Sequence, residues 1–263
     1  MKHIIKSYIK FLWLSKNEHG VHSPFVYDLM TKCFYDRKKK PEYSILAAYR
    51  NSLLQNKNSI EVNDFGAGSK VFKSNTRQIS KIAKTAGVSP KRAELLCRII
   101  GYFQPASILE IGTSLGLATS SLSLGCRSVG KKAQITTLEG CPETAGIAKI
   151  QLQKFNCNNV ESVVTEFESY FKNSPLSTTS YQFIYFDGNH SKKATLDYFE
   201  HLLPTITNNT VWIFDDIHWS KDMEETWGII KENPKVTVTI DTFQWGFVFF
   251  RNEQEKEHFV IRT

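Results

Sequence analysis

Gly112 and Gly116 stand in PASILEIGTSLGLATSS (105–121), after an apolar run and before a stretch of helical character, with Glu110 two residues ahead of the first glycine. Glycine lets a backbone come close to a ligand, and the order strand, turn, helix makes such a turn a binding position. Spacing narrows the ligand. A pyrophosphate-binding turn shows G-x-G-x-x-G/A, whereas this one reads E-x-G-x-x-x-G. A carboxylate at Glu110 suits a ligand carrying positive charge better than a phosphate. At the end of the next apolar run, QITTLEG places Glu139 where a carboxylate accepts hydrogen bonds from ribose hydroxyls.

A rival loop, NSIEVNDFGAGSKVF (58–72), offers Asp64, Gly66 and Gly68. Its surroundings read as helical, with no second strand and no acidic strand end, so these glycines are read as a turn. Other carboxylates close later apolar runs. YQFIYFDGNH delivers Asp187 and, three residues on, His190, while VWIFDDIHW delivers Asp215, Asp216 and His218. Three carboxylates gathered at one sheet edge repel each other unless a cation or protons intervene. Structural readings compete with these chemical ones. Asp187 can be a turn residue before Gly188, His190 a plain loop residue, and His218 beside Trp219 a packing or positioning group.

The elements that position these residues are legible. Residues 1 to about 104 read mostly as helices and loops; SNTRQISKIAKTAG carries Ile79, Ile82 and Ala83 on one stripe, and Ser89 and Pro90 supply an N-cap and first-turn proline for PKRAELLCRIIGYF. After Pro105 short apolar runs alternate with helices: SILEIG, AQITTLE, VESVVTE, YQFIYFDG, NTVWIFDD, KVTVTIDT and WGFVFFRN. Pro142 opens one intervening helix, another ends before Pro204, and Ser220 caps a third with Met223, Trp227 and Ile230 on one face. Such alternation predicts parallel βαβ units. The last two runs are too close for a parallel return and must form an antiparallel hairpin. The predicted fold is α/β, a Rossmann-like, mostly parallel seven-stranded sheet with a final antiparallel hairpin. Residues 1–89 are a helical N-terminal extension or cap, and residues 90–263 the main domain.

Composition bounds the rest. A chain of 263 residues, 41% hydrophobic, builds one α/β core with a small extension. Five cysteines at 33, 97, 126, 141 and 157 show neither C-x-x-C nor metal-ligand spacing, which points to a reducing, cytoplasmic compartment. No apolar run is long enough to span a membrane. In MKHIIKSYIKFLWLSK, Lys2, Lys6 and Lys10 share one helical face and Ile4, Tyr8, Phe11 and Leu12 another; a cap packed on its own domain is favoured over an interfacial membrane helix. The net charge of +7 is scattered, without a base-reading module, so no nucleic-acid partner is expected.

With these motifs in order, residues 90 to about 252 resemble the class I S-adenosylmethionine-dependent methyltransferases, specifically the small-molecule O-methyltransferase branch. LEIGTSLG, LEG, FIYFDGNHS, FDDIHW and the hairpin TVTIDTFQWGFVFF carry the likeness. The resemblance implies that Glu110, Gly112, Thr113, Ser114 and Gly116 hold the methionine part of S-adenosylmethionine and Glu139 its ribose. It implies that His190 is a general base, aided by Asp187, and that Asp187, Asp215 and Asp216 bind Mg2+, which lowers the pKa of an acceptor hydroxyl. The expected partner is a small-molecule acceptor, and a homodimer is compatible with the family. Two alternatives are kept: a catalytically inactive nucleoside-binding protein on the same fold and, below it, an NAD-type oxidoreductase. Residues 1–89 lie outside the resemblance and are expected to cover the active site or help select the substrate.

Overall fold

The computed structural model describes residues 2–63, 74–130, 132–173 and 180–263. They gather into two compact units, one of Met1–Tyr35 with Phe171–Thr263 and the other of Asp36–Tyr170. Asp64, Gly66 and Gly68 of the rival loop lie outside the described residues.

The chain enters the first unit through α1 (Lys2–Leu14) and α2 (Pro24–Leu29). Ser23 caps α2 by accepting the Val26 N–H, and Pro24 fills the first helical position, where no N–H is needed. Phe25 meets Phe249 edge-on at 4.9 Å between ring centroids.

The second unit opens with α3 (Pro41–Gln55), a short antiparallel pair of β1 (Ser59–Glu61) and β2 (Thr76–Gln78), α4 (Ile79–Thr85) and α5 (Pro90–Phe103). This pair corrects the expectation that the segment is helical with no second strand. Its signal is only three residues a side, too short for a period to register. The predicted cap of α5 is present, with Ser89 accepting the Arg92 N–H.

There follow β3 (Ser107–Ile111), α6 (Leu117–Arg127), β4 (Gln134–Glu139), α7 (Pro142–Lys154) and β5 (Val160–Val164). β4 runs parallel to both β3 and β5, with Ile108 beside Ile135 and Glu139 beside Val164. From Leu117 to Cys126 every residue of α6 is buried. Its small side chains permit that: a Cβ on Gly125 would stand 2.7 Å from the Cys97 carbonyl oxygen of α5.

The chain then runs through α8 (Phe167–Asn173), β6 (Phe183–Phe186), α9 (Lys192–Leu202), β7 (Val211–Asp215), α10 (Lys221–Glu232), β8 (Val238–Asp241), β9 (Trp245–Phe249) and β10 (Glu257–Val260). Strands of the first unit lie in the order β10, β8, β9, β7, β6. β6 and β7 are parallel, β9 is antiparallel to both β7 and β8, and β10 is parallel to β8. The protein thus has the expected α/β class, mostly parallel strands and closing hairpin. β10 makes the sheet strands eight rather than the predicted seven.

β6, β7 and β9 are buried at every residue. Phe214 stacks on Phe186 at 4.1 Å, and Trp212 meets Phe199 and Phe250 edge-on. Gly246 on β9 leaves room for Trp227, whose ring would lie 2.7 Å from an added Cβ. Truncating so buried an aromatic costs about 3–5 kcal/mol.

Candidate active site

In the second unit the stretch between β3 and α6 turns through three left-handed residues, Gly112 (φ 103°), Ser114 (φ 49°) and Gly116 (φ 76°). Both Gly112 and Thr113 donate their amides to the Leu138 carbonyl at 3.0 Å, tying the turn to the end of β4. Gly116 begins α6 without a side-chain cap, so the helix offers its first amides, and the positive end of its dipole, at the turn. A side chain at Gly116 would be strained there. Beyond its φ, a Cβ would stand 2.4 Å from the Tyr49 hydroxyl. Tyr49, buried on α3, donates that hydroxyl to the Leu115 carbonyl at 2.9 Å. Sequence reasoning missed this buttress, because nothing local links residues 66 positions apart.

Glu139, the last residue of β4, reaches back to the same turn. Its Oε2 accepts the Ser114 N–H at 2.8 Å and its Oε1 the Cys141 N–H at 3.0 Å. Two amides fix the carboxylate, and a carboxylate has lone pairs to spare for further donors. The left-handed Ser114, costly for a residue with a Cβ, is what aims its amide at Glu139.

Glu110 is wholly buried, at 0% exposure. Its Oε2 accepts the hydroxyls of Thr119 at 2.5 Å and Thr137 at 2.6 Å. Since Thr137 spends its proton on Glu110, the 2.6 Å contact between Thr113 and Thr137 must be a donation from Thr113. Glu110 Oε1 has no partner among the described residues. Burial, with the Glu139 charge adding to it, pushes the Glu110 carboxyl up to about 8 against the two threonine hydrogen bonds. A buried acid with one open oxygen is suited to meet a cationic ligand group, whose charge would help it ionise. All six residues expected to hold the cofactor therefore lie in one unit, and Glu110, Thr113, Ser114 and Glu139 share one hydrogen-bonded cluster through Thr137 and the turn.

In the first unit, β6 ends at Phe186 and the chain passes through Asp187, Gly188, left-handed Asn189 and His190 before Ser191 caps α9 by accepting the Ala194 N–H. His190 Nε2 lies 3.7 Å from Asp187 Oδ1, with the side chains 24% and 19% exposed. That separation is an ion-pair distance rather than a hydrogen bond, and catalytic contacts of this kind tighten when substrate is present. Asp215 closes β7 and is buried; Asp216 follows with φ 55° and accepts the Trp219 amide on its carbonyl.

His218 bonds two other carboxylates. Its Nδ1 bonds Glu224 at 2.7 Å, its Nε2 bonds Asp241 at 2.8 Å, and its ring stacks on Phe243. Burial alone would lower its pKa, but the two carboxylates outweigh that and raise it. Among the described residues no group of three His, Cys, Asp or Glu side chains is placed to hold a metal ion. Among the described residues, Asp187, Asp215 and Asp216 thus do not form a ready cage.

A family described as a methyltransferase domain matches residues 109–217. Catechol O-methyltransferase of Mycobacterium tuberculosis is 36% identical over 78 residues, covering 29% of this chain; the match spans only 34% of that relative's length. Among solved structures, the SAH-bound methyltransferase PaMTH1 of Podospora anserina superposes with a TM-score of 0.62 at 14% identity, over 88% of this chain and 97% of that one. An O-methyltransferase from Bacillus cereus in complex with SAH gives 0.53 at 20% identity, over 85% and 94%. At such identities the structures speak for the fold, and the matched segment, running from Leu109 to Ile217, takes in the glycine turn, Glu139, Asp187 and both residues of the Asp215–Asp216 pair. Residues 109–217 thus match a methyltransferase domain family, and the chain is similar in fold to the solved methyltransferases.

Proposed function

We propose that the protein transfers a methyl group from S-adenosylmethionine to an oxygen of a small molecule. The observation that carries this reading is the Glu139 carboxylate, fixed beside the glycine turn by the turn's own Ser114 amide. A ribose diol and an amino-acid group are what such a neighbourhood accepts: Glu139 takes the hydroxyls, and the left-handed turn admits the methionine part close to the backbone. Glu110 supports a cationic rather than a phosphate ligand.

S-adenosylmethionine supplies a methyl group made electrophilic by its sulfonium. The chain's residues do the remainder. The turn and Glu139 fix where that methyl stands, and alignment with the attacking oxygen supplies most of the rate. His190 takes the proton from the acceptor hydroxyl as the oxygen–carbon bond forms, and Asp187 stabilises the resulting imidazolium across its 3.7 Å separation. The electron pair of the broken carbon–sulfur bond stays on sulfur, leaving S-adenosylhomocysteine. Residues 1–89 contribute to the choice of acceptor.

Calorimetric titration with S-adenosylhomocysteine, with NAD as control and each with and without magnesium, tests the reading. Micromolar heat from the former alone supports it; heat from NAD alone refutes it. Magnesium has its own test on a turned-over acceptor. Activity that survives a chelator places the burden on His190, whereas activity lost to the chelator and restored by magnesium makes Asp187, Asp215 and Asp216 a site assembled on binding. Cofactor binding without transfer to any acceptor in a broad screen would leave the inactive binding protein.

A further inference from the structure

α1 uses one face to hold its own unit. Ser7 and Phe11 are buried. Phe11 meets Phe243 at 5.5 Å and Tyr8 meets the same ring edge-on at 4.8 Å, while His3 Nε2 lies 3.5 Å from Glu224 Oε2 of α10. Phe11 and Tyr8 thus pack as the amphipathic pattern predicts, whereas Leu12, expected on the same face, is 40% exposed.

That packing does not account for the other side. Ile9 lies four residues after Ile5, and Leu12 and Trp13 lie three and four after Ile9, so they share a second face, and the four are 58%, 63%, 40% and 85% exposed in chain order. Single exposed apolar side chains are ordinary, but a contiguous set that includes an almost bare indole marks an interaction surface. The charges along α1 itself all have one sign. Lys6, Lys10 and Lys16 are exposed, and the sequence has no Asp or Glu before Glu18. On a helical projection Trp13 falls between Ile9 and Lys6, with Lys10 just beyond, so the lysines edge the apolar face.

Three kinds of partner can be weighed against that pattern. A second copy paired through this face would set lysines against lysines with no acidic residue in α1 to answer them. A nucleic acid would answer the lysines but leave Ile5, Ile9 and Leu12 in water. An anionic bilayer answers both, because the headgroup–acyl boundary takes aliphatic and indole side chains while lysine stems reach up to lipid phosphates. No helix among the described residues is long and apolar enough to cross a membrane, so the helix would lie in the surface plane.

We infer that α1 is a docking helix for an anionic lipid surface, with Ile5, Ile9, Leu12 and Trp13 entering the bilayer boundary and Lys6, Lys10 and Lys16 on the headgroups. The inference is independent of the methyl-transfer reading.

Co-sedimentation of the full chain with phosphatidylcholine vesicles, with and without phosphatidylserine, tests it. Ile9→Ser with Trp13→Ser, and separately Lys6→Glu with Lys10→Glu, probe the two components, with the melting temperature confirming the fold of each variant. The expected result is partition into phosphatidylserine vesicles that falls with salt and drops about tenfold or more in each double variant. Equal partition into both vesicle types overturns the inference, as does partition indifferent to the variants or none at low salt. A dimer that Trp13→Ser dissolves, or retention on heparin, without vesicle binding in either case, overturns it in favour of self-association or nucleic acid.

Discussion

The two strand-end regions that carry the candidate chemistry are built to different tolerances. In the unit of residues 36–170, Glu139 is gripped by two amides, Glu110 is sealed beneath two threonines, and Tyr49 fills the space beside Gly116. In the unit containing residues 171–263, Asp187 and His190 are partly exposed and 3.7 Å apart. A ligand shared by a whole family rewards a prearranged cradle, since ordering lost on binding weakens affinity. Under the proposed mechanism, Asp187 and His190 would work with geometry that closes only around the acceptor.

The largest expected effect separates the two regions outright. His190→Ala lowers kcat by about 10²–10⁴-fold and leaves the Kd for S-adenosylhomocysteine unchanged; a shifted Kd would make His190 part of the cradle. Gly116→Ala should do the reverse, weakening S-adenosylhomocysteine by roughly 30-fold or more through the strained φ and the Tyr49 contact, which calorimetry reads directly. Glu139→Gln keeps the shape but removes the charge from the hydrogen bonds, raising that Kd about tenfold. An unchanged affinity would take the ribose away from Glu139.

Two smaller effects involve protons. An unfolded glutamate ionises near its ordinary 4.5, while the folded Glu110 keeps its proton to about 8. Between these values the folded state binds the extra proton, so this group's contribution to stability is greatest below the lower value and declines as pH rises to the upper one. A cationic ligand beside it favours the ionised form, so S-adenosylhomocysteine should bind more tightly from about pH 6 to about pH 8. Glu110→Gln should flatten that slope, and a slope that persists would assign it to another group. His218, raised by Asp241 and Glu224 against its burial, behaves oppositely to a depressed acid. Its stabilisation is complete below the unfolded value of 6.5 and disappears as pH rises through the higher folded one. His218→Gln should cost about 1–2 kcal/mol at low pH and little at high pH, measured by urea titration at both.

Much of the scaffold could be read from the chain because its signals are local. Ser89 and Ser220 cap where they stand, Pro90 and Pro142 open helices, and seven apolar runs became seven strands. β10 escaped because EHFV follows the charged NEQEK and only Phe259 is buried along it. The glycine turn was legible by type, yet the left-handed Ser114 that aims an amide at Glu139 was not, since serine gives no warning of such a φ. Glu110 could be picked out as an acid but not as a buried one, because Thr119 and Thr137 reach it from separate elements. The bonds of His218 to Glu224 and Asp241 likewise join residues that no motif links.

The reversed strand has a consequence for how the chain is made. β9 lies between β7 and β8, although β8 precedes it in sequence. During synthesis from the N-terminus, Val238–Asp241 leave the ribosome before the strand that must separate them from Val211–Asp215. Until Trp245–Phe249 follow, the apolar margin of β7 lacks its native neighbour, and an open strand edge is a template for foreign pairing. The short link of residues 242–244 keeps that interval brief, so the length of one turn limits how long the nascent edge stays open.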